Sequence, residues 1–395
     1  MREMNRKNNL PARIVLDARW VLPQLSGIGR YTLELLRRLG GLGSEFQFTV
    51  WALSEERREF IVGEAGLKDQ DNVQVNVLGQ GPFSLSGQWA AARRLKEIGA
   101  GLYHSTNFMI PLPAFPRRRP HRVACVCNIH DLIPLLHPEF TPHALKSRFF
   151  PVYRGLMHEI ARRTDWVVTG SAAAKRDIVG QLPIAAERIT AIWDGVDARY
   201  SPEPDGVRGA STGEGCAKTI LYVGRADPYK NVTGLLEAFA ILVREGLDVR
   251  LRIAGPPDLR YPEPQALARR LGVDHCVEWA GYLGDAELVQ AYRRADVLAL
   301  LSRYEGFGLP VAEAMACGTP VVCSNTASLP EIAGKAALLV SPDDASAAAA
   351  ALREVLTNRE LAARLRAEGL RQAARFSWEA AAAAVVEVYR EVLQG

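Results

Sequence analysis

The sequence predicts two doubly wound α/β domains in tandem. Short apolar, strand-like runs alternate with helical segments through residues 13–192, and the alternation starts again at residue 219. Between them lies 201–216, SPEPDGVRGASTGEGC, rich in Pro, Gly and Ser. The length of 395 residues fits two or three domains. The expected parts are a first domain over 1–200, a linker over 201–217, a second domain over 218–375 and a terminal segment over 376–395.

Residues 13–17 (RIVLD) read as a buried first strand, 31–39 as a helix after a glycine loop, and 46–53 as a strand of alternating character. Further strands are expected at 73–78, 102–104, 122–129, 166–169 and 188–192, with helices at 88–98 and 144–163. Ser171 is a cap for the helix AAAKRDIVGQL. In the second half, strands are expected at 219–223, 249–254, 277–280, 320–323 and 338–340, and 297–301 leads into the helix that carries Glu313. Helices fall at 232–245, 266–271, 286–295, 346–356 and 359–375. Sheets of this kind bind ligands beyond the carboxyl ends of their strands. Two of them facing each other place those ends across a cleft.

Apolar residues make up 48% of the chain, enough for two cores. No apolar run reaches the ~18 residues of a membrane span. The start, MREMNRKNNLPAR, lacks the apolar region of a signal peptide, so a cytoplasmic location is expected. Cys125 and Cys127 alternate along VACVCNI, a spacing that is neither C-x-x-C nor a zinc pattern. Small buried thiols are the plainer reading. The net charge of +4 divides into +8 over residues 1–200 and −4 over 201–395. A basic first half points to an anionic partner. Nucleic acid is not expected, because the basic residues are scattered and no nucleic-acid motif occurs.

The stretch 302–318, SRYEGFGLPVAEAMACG, carries the most chemistry. Glu305 and Glu313 stand with seven residues between them, around the turn Gly306, Phe307, Gly308 and a helix start at Leu309 and Pro310. A helix start offers free N–H groups and a positive dipole end to a phosphate. Carboxylates on either side suit hydroxyl-rich groups. Together they describe a pocket for a sugar joined to a nucleotide through phosphate. Glu313 falls among Val, Ala and Met, and a buried glutamate needs partners. Arg225 and Lys230 follow the strand LYVG, where a planar fork and a point charge suit a diphosphate.

GIGRYT at 27–32 nearly matches the dinucleotide fingerprint, with Thr32 in place of the third glycine. Residues 18–26 separate it from its strand, too many for the tight turn of that fingerprint, so a dehydrogenase is the weaker reading. His130 and Asp131 follow the strongest strand of the first half. His104 and Asn107, in YHSTNF, read as residues of the cleft rim on the acceptor side. Asp343 and Asp344 in SPDDAS read as a helix cap, not a metal site.

These segments, in this order, resemble the retaining family 4 glycosyltransferases of GT-B fold, from about residue 14 to the C-terminus. SRYEGFGLPVAEAMACG resembles their E-x(7)-E motif, and LYVGRADPYKN their Gly-Arg…Lys-Asn segment. DGVD, SGIGRYT and NIHD resemble further motifs of the family. The resemblance implies two Rossmann-like domains and a terminal helix over 376–393 that crosses back to the first. It implies that Arg225 and Lys230 neutralise the leaving nucleotide diphosphate without a metal, that Glu305 meets the transferred sugar, and that Glu313 meets the ribose. Backbone N–H groups of Phe307, Gly308 and Leu309 would face sugar or phosphate. Gly27 and Gly29 would let the backbone approach the donor phosphates or the acceptor. Tyr282 and Leu283 would lie near the nucleotide base, and His130 near the donor sugar, with Asp131 orienting its loop or touching acceptor.

NIHDLIPLLHPEF looks like the corresponding segment of bacterial mannosyltransferases of polysaccharide and lipopolysaccharide assembly. The implied reaction moves a hexose, mannose from GDP-mannose first, to a glycan or lipid-linked acceptor, with no cofactor beyond the nucleotide-sugar. A UDP-hexose donor, or a phosphorylase or sugar-phosphate synthase on the same fold, is the alternative. The basic segment 143–163, with Arg117, Arg118 and Arg119, reads either as a packed helix with one solvated face or as a peripheral contact with the inner membrane face.

Overall fold

A computed structural model describes residues 11–23, 25–142, 148–203, 217–256, 258 and 260–394. The expected linker falls mainly on 204–216, and the basic segment partly on 143–147, outside the described residues. The strands of the first sheet are β1 (Ala12–Asp17), β2 (Phe46–Ala52), β3 (Val73–Val77), β4 (Leu102–Ser105), β5 (Ala124–Asn128), β6 (Trp166–Thr169) and β7 (Ile189–Ala191). Those of the second are β8 (Lys218–Val223), β9 (Val249–Ala254), β10 (Val277–Gly281), β11 (Val297–Leu300), β12 (Val321–Ser324) and β13 (Ala337–Val340).

The orders are β3-β2-β1-β4-β5-β6-β7 and β10-β9-β8-β11-β12-β13, and every pairing is parallel. Parallel strands covered on both faces carry continuous apolar runs, as VLAL of β11 does, fully buried. Strand order reverses beside β1 and β4 in the first sheet, and beside β8 and β11 in the second. Loops diverge there, and a crevice opens at the carboxyl ends.

The helix Trp378–Gln394 buries Trp378, Val385 and Tyr389 in one core with Ile14, Leu16 and Leu36. Gly195 makes room for it: a Cβ there would lie 2.2 Å from the Trp378 nitrogen. The helix caps read from sequence form: Ser171 Oγ accepts from the Ala174 N–H at 3.0 Å, and Asp344 from the Ala347 N–H at 2.8 Å. A helix at Glu55–Glu64 escapes the periodicity, because EERREFIVGE buries only Arg57 and Ile61. Cys125 and Cys127 are wholly buried in β5, and burial pushes the Cys127 thiol up to about 12. No helix among the described residues is long and apolar enough to cross a membrane.

Candidate active site

The second domain builds its half of the site at the switch point between β8 and β11. After β8 the chain turns at Gly224, φ 147°, and the backbones touch there: a Cβ on Gly255 would stand 1.9 Å from the Gly224 carbonyl oxygen. A single 3₁₀ turn, Pro228–Lys230, then points Lys230 back over the sheet. Asn231 ends that turn at φ 54°, a left-handed conformation that asparagine tolerates. Its side chain accepts from the Gly234 N–H at 3.3 Å and donates to the Pro342 carbonyl at 2.7 Å.

Lys230 Nζ lies 2.7 and 2.8 Å from the two carboxylate oxygens of Glu305. Ser302 Oγ donates to Glu305 Oε1 at 2.6 Å. Both charged side chains are largely withdrawn from water, 15% and 9% exposed. At such depth each charge requires the other. Arg225 is half exposed and is held by Asp227 and Asp258, each at 3.0 Å. Arg260 shares Asp258 at 2.6 Å and, with Arg225, holds that carboxyl well below the usual range. Arg225, Lys230 and Arg260 are thus matched by Asp227, Asp258 and Glu305.

The turn after Glu305 is fixed by shape. Gly308 adopts φ 102°, and a Cβ there would press to 2.6 Å from Leu329. Ser328 Oγ bridges the carbonyls of Glu305 and Phe307 at 2.9 and 2.8 Å. Phe307 packs edge-on against Phe376. The N–H groups of Phe307, Gly308 and Leu309 meet no acceptor among the described residues, and they open the helix Leu309–Ala316. Glu313, on that helix, is buried and accepts from Tyr292 Oη at 2.7 Å. Burial raises its pKa, opposed by the Tyr292 bond and by the charge of Arg30. The two glutamates therefore have different partners. Tyr282 is exposed and Leu283 half-buried, just past the positive-φ Gly281 that ends β10.

The first domain contributes the tips of β1, β4 and β5. His130 Nε2 donates to the Thr106 carbonyl at 3.0 Å, so its proton sits on Nε2 and Nδ1 is a lone-pair acceptor. Its enclosure pushes its pKa below the usual histidine range, against the pull of Thr106 and Asp131. The Thr106 hydroxyl meets Thr32 Oγ1 at 2.8 Å and the Asp17 carbonyl at 3.2 Å. Thr32, the residue that departs from the dinucleotide fingerprint, thus ties the glycine-started helix to the tip that holds His130. Gly29 donates its N–H to the cap Ser26 at 3.3 Å, while Gly27 leaves open space above the helix start. Asp131 Oδ1 accepts from the Ile133 N–H at 3.1 Å and so orients its own loop.

One rim residue, His104, is corrected. His104 is fully buried: Nε2 meets Asn128 Oδ1 at 2.7 Å, and Nδ1 meets Tyr389 Oη at 2.6 Å. Both nitrogens are committed and burial lowers its pKa to about 4, so it locks the terminal helix to the first sheet instead of meeting an acceptor. Asn107 is 8% exposed and turns its Oδ1 onto the next N–H, Phe108, at 2.8 Å.

The domains touch across the cleft. A Cβ on Gly306 would stand 2.3 Å from the His130 carbonyl oxygen. Ser171 Oγ donates to the Gly306 carbonyl at 2.7 Å. Glu331, from the second domain, accepts from Trp193 Nε1 at 2.6 Å and from the Ala172 and Ala173 N–H groups at 3.1 and 3.3 Å. Its carboxylate occupies the positive end of a first-domain helix. Tyr304 bonds Asp177, and Arg30 meets Asp285 at 2.7 Å. The sequence did not reveal Ser302, Thr106 or Glu331. Glu331 sits in LPEIA, where an acid in a first helical turn is ordinary. Among the described residues no group of three or more His, Cys, Asp or Glu is arranged to hold a metal ion.

The site and the two facing sheets are those of a sugar-transferring enzyme, and comparison with known proteins agrees. Residues 25–200 match the family described as Glycosyltransferase Family 4, and 211–372 that described as Glycosyl transferases group 1. O-antigen chain mannosyltransferase B of Escherichia coli is 29% identical over 397 residues, covering 93% of this chain and 96% of that protein. Glycogen synthase of Mycobacterium tuberculosis is 31% identical over 318 residues, 77% of this chain and 73% of that protein. The solved structure of Anabaena HepE in complex with UDP and glucose superposes with a TM-score of 0.74 at 18% identity, over 96% of this chain and 100% of that one. That likeness shows the fold. The chain belongs to the family 4 glycosyltransferases of GT-B fold.

Proposed function

We propose that this glycosyltransferase moves mannose from GDP-mannose to a hydroxyl of a glycan or lipid-linked acceptor, with retention at the anomeric carbon and without a divalent metal. The observation that carries the reading is the Lys230–Glu305 pair at the switch point of the second sheet, in a chain similar along nearly its whole length to a mannosyltransferase.

Before donor binds, the cations of the site are neutralised by carboxylates. A diphosphate arriving at the start of the helix Leu309–Ala316 competes for Lys230 and Arg225 and takes hydrogen bonds from the N–H groups of Phe307, Gly308 and Leu309. Lys230 then shares its charge, and Glu305, still held by Ser302, accepts from the sugar hydroxyls. As the glycosidic bond breaks, negative charge grows on the leaving phosphate, where Lys230 and Arg225 stabilise it more than in the ground state. The phosphate stays on the face that the acceptor attacks and takes the acceptor proton. His130, neutral and with Nδ1 unprotonated, accepts from a sugar hydroxyl. Glu313 holds the ribose.

The test is thermal stabilisation of the purified chain by GDP, UDP, ADP and their sugar conjugates with EDTA present, since a ligand of the folded state raises the melting temperature. A selective shift with GDP or GDP-mannose supports the reading. A selective shift with UDP replaces the donor by a UDP-hexose. No shift with any nucleotide sinks the donor site. The anomeric configuration of the product, read by NMR, decides retention.

A further inference from the structure

We propose that Asp258 is a positioning residue that acts through Arg225: its carboxylate competes with a nucleoside diphosphate for the guanidinium, and so limits how tightly the spent product is held. The inference rests on the donor reading above. β8 and β9 run in register from Lys218 beside Val249 to Val223 beside Ala254. The next residues, Gly224 and Gly255, therefore lie side by side with their backbones in contact. With no Cβ to hold them apart, the two loops leave the sheet together. Arg225 and Asp258 thus come within 3.0 Å although 33 residues separate them.

The contact has a definite geometry. Arg225 Nε lies 3.0 Å from Asp227 Oδ2, and Arg225 Nη2 donates to Asp258 Oδ2 at 3.0 Å. Nε and Nη2 form one edge of the fork with which an arginine grips a phosphate through two parallel bonds. Here both nitrogens of that edge face carboxylate. The Tyr222 hydroxyl donates to the Arg225 carbonyl at 2.6 Å and fixes the backbone beneath. The side chains of Asp227 and Asp258 are 11% and 12% exposed, whereas those of Arg225 and Arg260 are 51% and 44% exposed. The acids form a floor, and the cations above it face solvent. An arriving anion meets the cations first.

Of the two acids, Asp258 is the one free to let go. Arg260 Nη2 donates to Asp258 Oδ2 at 2.6 Å, and Arg260 Nε and the Arg260 backbone N–H donate to Oδ1 at 2.9 and 3.0 Å. These bonds keep the carboxylate partnered when Arg225 turns to a phosphate. Asp227 lies 3.8 Å from Arg260 and has Arg225 as its nearer cation. A phosphate oxygen and Asp258 compete for the same Nη2, so the attraction of the diphosphate is offset by the pair that it displaces. When the carboxylate returns, Arg225 is neutralised again and the departing diphosphate loses that hold. Asp227 beside Nε keeps Arg225 oriented when Asp258 is removed.

The experiment is calorimetric titration of the whole chain with GDP and with UDP, wild type against Asp258→Asn. Asparagine removes the charge and keeps an acceptor for the Arg260 N–H. Expected is nucleotide binding tightened at least about threefold, the scale of a partly exposed ion pair, with inhibition of turnover by the same nucleotide strengthened to match. A merely structural role for Asp258 gives no such gain. In an Arg225→Ala background the same substitution is expected to bring no tightening, because the residue acts through Arg225. Unchanged or weaker binding by Asp258→Asn overturns the proposal and leaves the donor site in place. An equal gain with and without Arg225 overturns it as well, and reduces Asp258 to a distant charge. Wild-type protein that binds neither nucleotide removes the donor reading and this inference together.

Discussion

The Gly306 Cα and the His130 carbonyl oxygen stand so close across the domain interface that one methyl group would close the gap to 2.3 Å. The obstacle would be backbone, which cannot swing aside as a side chain can. Gly306→Ala should therefore keep the domains from meeting. Displacements of about 1 Å near reacting groups cost roughly a hundredfold in rate. Turnover of that variant is expected to fall on this scale, with nucleotide affinity by calorimetry little changed. Wild-type turnover would show that the working enzyme does not use this contact.

Lys230 and Glu305 form a buried pair, and breaking one side leaves the other charge uncompensated. Lys230→Met is expected to cost about 3–5 kcal/mol of stability in denaturant titrations. The double variant with Glu305→Gln should recover most of that loss, because no buried charge remains. Additive losses would refute the coupling. Glu305→Gln alone leaves Lys230 without its partner, so it should lose stability on a similar scale and lower turnover by about a hundredfold or more.

Glu331 joins the domains through Trp193 Nε1 and two helix-start N–H groups. Glu331→Ala removes all three bonds, each worth about 1 kcal/mol or more with a charged acceptor. The unliganded variant should populate a more open arrangement. Small-angle scattering would report a larger radius of gyration. A profile identical to wild type would mean that the remaining contacts hold the interface unaided.

Asp194 lies buried in the DGVD turn, and its Oδ1 finds no hydrogen-bond partner among the described residues. Burial raises its pKa from 3.8 to about 7. The unfolded chain releases that proton near the ordinary aspartate value, while the folded chain keeps it. The group is therefore neutral to stability below pH 3.8, and stability falls as pH rises from there to about 7. Asp194→Asn cannot ionise. Its melting temperature relative to wild type should rise between pH 4 and pH 8, and a difference independent of pH would contradict the buried, protonated carboxyl.

Much of this protein was legible along the chain. The apolar run of RIVLD announced a buried strand, and Ser171 and Asp344 announced helix starts, because such signals act over a few residues. Glu305 and Glu313 were legible as a pair, since a glutamate among Val, Ala and Met is anomalous without a role. His104 was misread for the same reason that the pair was found: a polar residue at a strand tip looks functional until its partners are known.

The sequence by itself determined the two parallel-sheet domains and the place of the glutamate pair and the two basic residues at loops that follow strands. Those properties rest on local propensity and on the order of segments. Only the tertiary structure decided which charges meet. It set Lys230 against Glu305, 75 residues away, and sealed His104 with Tyr389, 285 residues away. It also laid the carboxylate of Glu331 on a helix start 159 residues earlier. Burial and partner choice are properties of surfaces brought together by folding, and no local pattern carries them.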